Sequence, residues 1–362
     1  MSIIILTFVP VLKSKAMRLP AEWEKQSGVQ LTWPDETTPW YDLPRVQECY
    51  AEIASAILRF ERLFIVCTDK AECRARLKEI ADKKGLDLDL SSIRFFEAPI
   101  NDTWARDHGA IAVLGDKGEK FALDFIFNGW GLKFASNLDN CINRSFEFSS
   151  PFKADVKLVS MAPFVLEGGS IDSDGAGTLL TTKSCLCSLN RNDQLNQGEI
   201  EEELKAFFGL KRVLWLNHGS IFGDDTDGHV DIMARFCDAE TIAYAISEDQ
   251  ASENYRPLKE MEKELKSLRT LDGKPYKLVP LPLPEQMWLE GYPLPASYVN
   301  FLIINGAVLV PGAGQPTDEI VRERLQSVFP EREIILIDCR PLLSGHGGLH
   351  CVTMNFPEGY LA

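Results

Sequence analysis

Cys351 stands near the end of the chain in the run Ser344-Gly345-His346-Gly347-Gly348-Leu349-His350-Cys351-Val352-Thr353, with three glycines upstream and an apolar, β-leaning segment around it. Glycines let a backbone turn sharply and let a ligand come close, so a cysteine presented this way is poised for nucleophilic attack. Taken alone, a cysteine reads as a small buried hydrophobe. A second cluster changes the reading: Asp224-Asp225-Thr226-Asp227-Gly228-His229-Val230-Asp231 supplies a His-x-Asp pair and several carboxylates. A thiol nucleophile needs a base and charged neighbours, and together the two clusters imply the active site of a hydrolase.

His229 and Asp231 are two apart, which on a strand puts both side chains on one face. The rival readings of this cluster are a metal site and a solvated acidic loop with one satisfied histidine. The segment lacks the helix-borne His-Glu-x-x-His pattern, and its spacing does not fit an EF-hand calcium loop. Two further carboxylates sit in unusual contexts. Asp107 lies in Asn101-Asp102-Thr103-Trp104-Ala105-Arg106-Asp107-His108-Gly109, where Trp104 offers a face for an alkyl chain or a cation. Glu167 follows the apolar run Phe164-Val165-Leu166 and precedes Gly168-Gly169, a position that is either an exposed turn or a paired, buried acid.

A cysteine, a histidine and three carboxylates exceed what amide-cleaving Cys-His hydrolases require. The surplus of acids makes sense for a cationic electrophile with several N–H donors. A guanidinium fits, because its planar fork pairs bidentately with carboxylates. Two acids would hold its nitrogens and leave the central carbon facing the thiolate.

The elements that must position these groups recur along the chain. Apolar spacing of three and four marks helices beginning near Lys70, Ala135, Asn196, Ser252 and Thr317. Strands follow at Ile93 to Glu97, Val156 to Ser160, Val213 to Leu216, Tyr276 to Pro280 and Ile334 to Ile337. Soon after each strand comes a polar residue: Asp107, Glu167, His229, Asn300 and Cys351. This is an internal period of about sixty residues, carried by element order. It predicts α/β units packed around an axis, each delivering one residue to a shared centre. A doubly wound α/β sheet is the alternative, but there is no glycine-rich phosphate loop. Hairpins around Asp174-Gly175 and Asn305-Gly306 also favour mixed sheets.

The 362 residues are 45% hydrophobic and 25% charged, an ordinary globular composition. A net charge of −15 argues against nucleic acid and suits a cationic small molecule. Nine cysteines, without a C-x-x-C pair, read as free thiols in a reducing cytoplasm. The opening apolar run is too short to span a membrane and lacks a basic flank. Met17 reads as the start of a single catalytic domain, 17–362, preceded by a dispensable extension, 1–16.

The ordered set of motifs is specific. Trp23-Glu24, Trp33-Pro34, Trp104-Ala105-Arg106-Asp107-His108-Gly109, Glu167-Gly168-Gly169-Ser170, Asn190-Arg191-Asn192, Gly228-His229-Val230-Asp231, Asn300-Phe301, Asn305-Gly306-Ala307 and Leu349-His350-Cys351-Val352-Thr353 resemble the agmatine deiminase and bacterial-type peptidyl-arginine deiminase family. The resemblance implies the five-bladed pseudo-symmetric α/β propeller of the guanidino-modifying enzymes (penteins), built from ββαβ-type units. It implies Cys351 as nucleophile, His229 as general acid/base, Asp107 and Asp231 as guanidinium-binding carboxylates, and Glu167 binding the guanidinium or holding the histidine. Trp104, Asp225 and Asn300 are candidates for binding the substrate, Asp225 through an ammonium tail. The implied reaction is hydrolysis of agmatine to N-carbamoylputrescine and ammonia without a cofactor or metal.

The chain departs from the agmatine branch at Ile232, at Met354-Asn355-Phe356 and at His346. These positions spare the proposed chemical groups and lie near where a substrate tail would run. An arginine or peptidyl-arginine deiminase is the alternative within the same chemistry, and a non-catalytic guanidino-ligand binder the alternative of another class. A small cationic guanidine is the expected partner. Neither nucleic acid nor membrane is expected, and a homo-oligomer is compatible with the sequence.

Overall fold

The computed structural model describes residues 6–7, 17–146 and 149–362. Of the sixteen residues read as an extension, only Leu6–Thr7 (β1) falls among the described residues, as a strand parallel to the segment around Val159; the rest lies outside them. β2 (Met17–Arg18) edges the same sheet.

One local plan recurs five times: an antiparallel strand pair with a third strand parallel to its second member. β3 (Gln26–Thr32), β4 (Arg62–Cys67) and β5 (Ile93–Glu97) run parallel, connected by α1 (Leu43–Leu58) and α2 (Lys70–Lys84). A one-turn helix, α3 (Ala105–His108), leads into the hairpin β6 (Ile111–Gly115) and β7 (Lys120–Ile126), with β8 (Val156–Val165) parallel to β7. β9 (Ile171–Ser173), β10 (Thr178–Thr182), α4 (Gln197–Phe208) and β11 (Arg212–Leu216) repeat the plan. So do β12 (Ala234–Asp238), β13 (Thr241–Ile246), α5 (Tyr255–Ser267) and β14 (Lys277–Pro282). A small separate hairpin, β15 (Met287–Leu289) and β16 (Tyr292–Leu294), precedes β17 (Leu302–Ile304), β18 (Ala307–Gly312), α6 (Thr317–Val328) and β19 (Glu333–Asp338). The final strand, β20 (Thr353–Pro357), pairs antiparallel with β3 and brings both ends of the chain into one sheet. The fold is α/β with mixed sheets, and both expected hairpins are present.

Local signals account for the helices. Asp42 caps α1 by accepting from Arg45 N, Pro44 occupies the first turn, and Val46, Tyr50, Ile53 and Ile57 form its buried stripe. Asn196 and Glu199 form a reciprocal capping box at the start of α4. The helix expected from Ala135 is absent as such: only short turns form, at Asp139–Cys141 and Ile142–Ser145. Polar side chains there serve other partners. Asp139 accepts from Asn101 N and Asp102 N, and Asn140 accepts from Phe127 N, which competes with continuing a helix. Apolar side chains pack between neighbouring sheets, as in the ring clusters Phe64–Phe96–Phe146 and Phe125–Phe164–Phe207. Among the described residues no helix is long and apolar enough to cross a membrane.

Two helices end on a glycine in the left-handed region, Gly85 (φ +65) after α2 and Gly209 (φ +63) after α4. They differ in surroundings. A methyl on Gly85 meets nothing within 4 Å, whereas one on Gly209 would lie 1.7 Å from Met17 O in β2. Gly85→Ala is therefore expected to cost about 1–2 kcal/mol and Gly209→Ala more than about 3 kcal/mol, read as the difference in urea unfolding.

Candidate active site

The polar residues singled out above occupy one structural position. Asp107 lies just ahead of β6, Glu167 ahead of β9, His229 and Asp231 ahead of β12, Asn300 ahead of β17 and Cys351 ahead of β20. His229 and Asp231 are not on a strand: a tight turn at Val230–Ile232 carries them. The preceding loop is closed by Asp224, which accepts from Thr226 N and Gly228 N, so extended geometry is lost there.

Gly169 marks the centre. A methyl built on it would lie 2.6 Å from His229 Nδ1 and 3.0 Å from both Asp107 Oδ1 and Asp231 Oδ2. Three ionisable groups from two units thus converge on a residue of a third that has no side chain. Cys351 Sγ is 3.8 Å from Asp231 Oδ2 and 3.2 Å from Asn300 Nδ2. Asn300 also accepts, through Oδ1, the backbone N–H of His350 (2.9 Å) and of Cys351 (3.4 Å), and so holds the Cys351 turn. From the other side, Arg106 N donates to Cys351 O, fastening α3 to the same turn.

Asp107 accepts from Gly169 N (3.0 Å) and from Trp130 Nε1 (2.9 Å), and its Oδ1 is 3.7 Å from His229 Nδ1. Trp130 reaches it from a left-handed turn, Gly129–Leu132, in which Trp130 (φ 55) and Leu132 (φ 67) both have positive φ. That conformation is unfavourable for a side chain of this size and is kept where surrounding contacts over-determine it. Glu167 is fully buried, and both its oxygens accept from Arg191 Nε, at 3.0 and 2.9 Å. Arg191 in turn pairs with Asp227, which also takes Lys133. The acids of the Asp224–Asp231 loop therefore diverge rather than gather on an ion. Among the described residues, Glu167, Cys185 and His229 are the group close enough to share one, each offering an atom within 4.8 Å of the others. The Arg191 guanidinium already supplies the positive charge there.

The electrostatics follow from burial. His229 is raised well above its ordinary pKa, because Asp107, Cys185 and Glu167 outweigh the burial that opposes its cation. Burial lifts Asp107 to about 6, with His229 opposing and Asp231 adding. Asp231 is held low: burial acts against its charge, but the His350 hydrogen bond and nearby cations prevail. Cys351 is pushed well above the ordinary thiol range by burial, Asp231 and Asp107, against the Gly348 N–H and Asn300. In the free site carboxylates crowd the sulfur and hold its proton. A cation between Asp107 and Asp231 would remove that repulsion.

Of the three residues expected to touch a substrate, Asn300 is seen holding the Cys351 turn. Trp104 packs beneath the glycine run, where a methyl on Gly347 would lie 2.1 Å from its ring, and against Trp40 and Trp130. Asp225 is half-buried and lifted to about 6 by burial, with His346 opposing and Asp224 adding. Its charge also raises nearby Asp102, itself at about 6 chiefly through burial. The sequence reading names Arg191 and Gly169 within motifs without giving them a role, and it does not single out Trp130 at all. The Gly129-Trp130-Gly131 sandwich is the one local signal of a special turn.

Because a raised thiol pKa keeps the proton on sulfur until higher pH, Cys351 should alkylate more slowly than an exposed thiol at about pH 7, with a rate still rising at about pH 9 where an ordinary thiol levels off. Peptide mapping after iodoacetamide treatment, with exposed Cys141 as internal reference, reads this directly.

Known proteins resemble this chain over nearly its full length. A crystal structure of a Porphyromonas gingivalis protein, provisionally named an arginine deiminase, is 48% identical with a TM-score of 0.88, covering 96% of this chain and 100% of that one. The agmatine deiminase of C. jejuni, solved as a cysteine-to-serine variant with substrate bound, is 37% identical with a TM-score of 0.85, covering 95% and 97%. Agmatine deiminase of Pseudomonas aeruginosa is 32% identical over 372 residues, 95% of this chain and 96% of the relative. With residues 18–357 matching its profile, the chain belongs to the Porphyromonas-type peptidyl-arginine deiminase family.

Proposed function

We propose that the protein hydrolyses the guanidinium of agmatine, releasing N-carbamoylputrescine and ammonia. The observation that carries this is the convergence of His229 Nδ1, Asp107 Oδ1 and Asp231 Oδ2 around the bare Gly169, with Cys351 Sγ beside Asp231. Two carboxylates at that spacing match the N–H edges of one guanidinium. The same reading takes the five strand units as blades of one propeller, since each supplies a residue from the same place ahead of its antiparallel strand pair.

In this mechanism the bound cation offsets the charges of Asp107 and Asp231, and the Cys351 proton leaves to solvent. The thiolate attacks the central carbon. His229, which enters as imidazolium, gives its proton to the departing nitrogen, and ammonia leaves an S-linked thiouronium. Neutral His229 then takes a proton from water as its oxygen adds to the carbon. Collapse forms the ureido carbonyl, and the hydroxyl proton goes with the departing Cys351 sulfur, restoring the thiol. Glu167, neutralised by Arg191, acts through His229 by helping to hold its positive charge. Asp225 and Asp102, two half-buried acids with raised pKa, would take the ammonium end of the tail. An arginine-type substrate is the second reading, favoured by the 48% identity to the Porphyromonas gingivalis protein.

Ammonia release measured side by side on agmatine, free arginine and a peptidyl-arginine decides between them, and Cys351→Ala should lower kcat at least about 10⁴-fold. Activity confined to the arginines would transfer the assignment to the second reading. Gly169→Ala should cost about 10²-fold or more in activity and also lower the unfolding midpoint, because its methyl would lie 2.6 Å from the buried His229 ring. Asp107 takes up a proton below about pH 6 and loses its charge. Agmatine affinity of Cys351→Ala protein, measured by calorimetry, should therefore fall as pH drops through about 6. Asp107→Asn should bind weakly and keep only the part of that dependence that Asp225 and Asp102 contribute.

A further inference from the structure

Next to the nucleophile, His350 joins two buried carboxylates. Its Nδ1 lies 2.7 Å from Asp231 Oδ2 and its Nε2 lies 2.9 Å from Glu22 Oε2. Glu22 also accepts from Ile303 N (2.7 Å), pairs with Arg235 Nη2 (2.9 Å) and lies 3.6 Å from Arg106 Nη2. Arg235 continues to Asp172 (3.4 Å). All of these side chains are almost completely removed from water. The two nitrogen–oxygen contacts need two protons shared among Asp231, His350 and Glu22. With Asp172 ionised and both arginines charged, the six-residue cluster is then electrically neutral, the condition under which so many charges are tolerated away from water.

The geometry at Asp231 is asymmetric. Oδ2, which accepts from His350, is the oxygen 3.8 Å from Cys351 Sγ, while Oδ1 is buried and has no hydrogen-bond partner. We propose that His350 is a positioning residue. By holding Asp231 Oδ2 it fixes the carboxylate that faces Gly169 and draws charge away from the oxygen that faces the thiol. Glu22 and its arginines anchor the imidazole from behind. The assignment rests on the reading of Asp231 as a guanidinium ligand, and its effect on the thiol stands apart from that reading.

Two substitutions separate the roles of the ring nitrogens. The Asn amide reproduces a donor near Nδ1 and the Gln amide one near Nε2. In Cys351→Ala protein, His350→Gln should weaken agmatine binding about 10-fold or more, and His350→Asn by less than about 3-fold. In protein with Cys351 intact, His350→Gln should slow Cys351 alkylation about 5-fold at a fixed pH, since the nearest carboxylate oxygen then carries its full charge. His350→Asn should leave that rate near the parent's. Parent-like binding and alkylation in His350→Gln would overturn the proposal. So would equal losses in both variants that track a fall in unfolding midpoint. If Cys351→Ala protein binds no agmatine at all, the functional reading falls, and the alkylation comparison alone decides the role of His350.

Discussion

Burial of carboxylates away from water is the constraint on which this structure turns. Glu22, Asp107, Glu167, Asp172 and Asp231 all lie inside the protein, where an unpaired charge costs several kcal/mol. Four of them are paired: Glu167 with Arg191, Glu22 with Arg235, Asp172 with Arg235, and Asp231 with His350. Asp107 has only a tryptophan N–H, a backbone N–H and a long contact to His229, and its pKa stays high. The negative charge that pairing does not cancel is thereby concentrated beside Gly169 and Cys351. A cationic electrophile completes the set.

The pairs also bind the fold together. Glu22 precedes β3, Arg106 lies on α3, Arg235 on β12, and His350 ahead of β20, so one buried network ties segments that are far apart in the chain. Stability and the electrostatics of the site therefore share the same contacts. Within the site, backbone strain sits in the turn that presents Trp130 to Asp107, where two non-glycine residues hold left-handed geometry.

The thiol illustrates how a pocket built for a cation behaves without one. Cys351 is flanked by carboxylates and an amide, and its proton is held tightly. A guanidinium would change the balance more than any side chain in reach, because it brings charge to the point where two acids face the sulfur.

Much of this is legible in the sequence. The strand sites, four of the five expected helices, both hairpins and the regular return of a polar residue after each expected strand come from hydrophobic period and turn chemistry, which are local properties. The chemical identity of Cys351, His229, Asp107, Glu167 and Asp231 as a set is equally readable. The segment after Ala135 misleads because Asp139 and Asn140 are spent on distant backbone groups, which periodicity does not register. Helix α1 and the β15–β16 hairpin escape the periodic reading, although Asp42 and Pro44 mark the start of α1. Tertiary structure alone decides that His350 reaches both Asp231 and Glu22, that Arg191 neutralises Glu167, and that carboxylates rather than His229 govern the free thiol. Local sequence specifies which groups are present and which elements carry them. Their protonation and pairing depend on through-space distances in a medium without water, and those exist only once the units have packed.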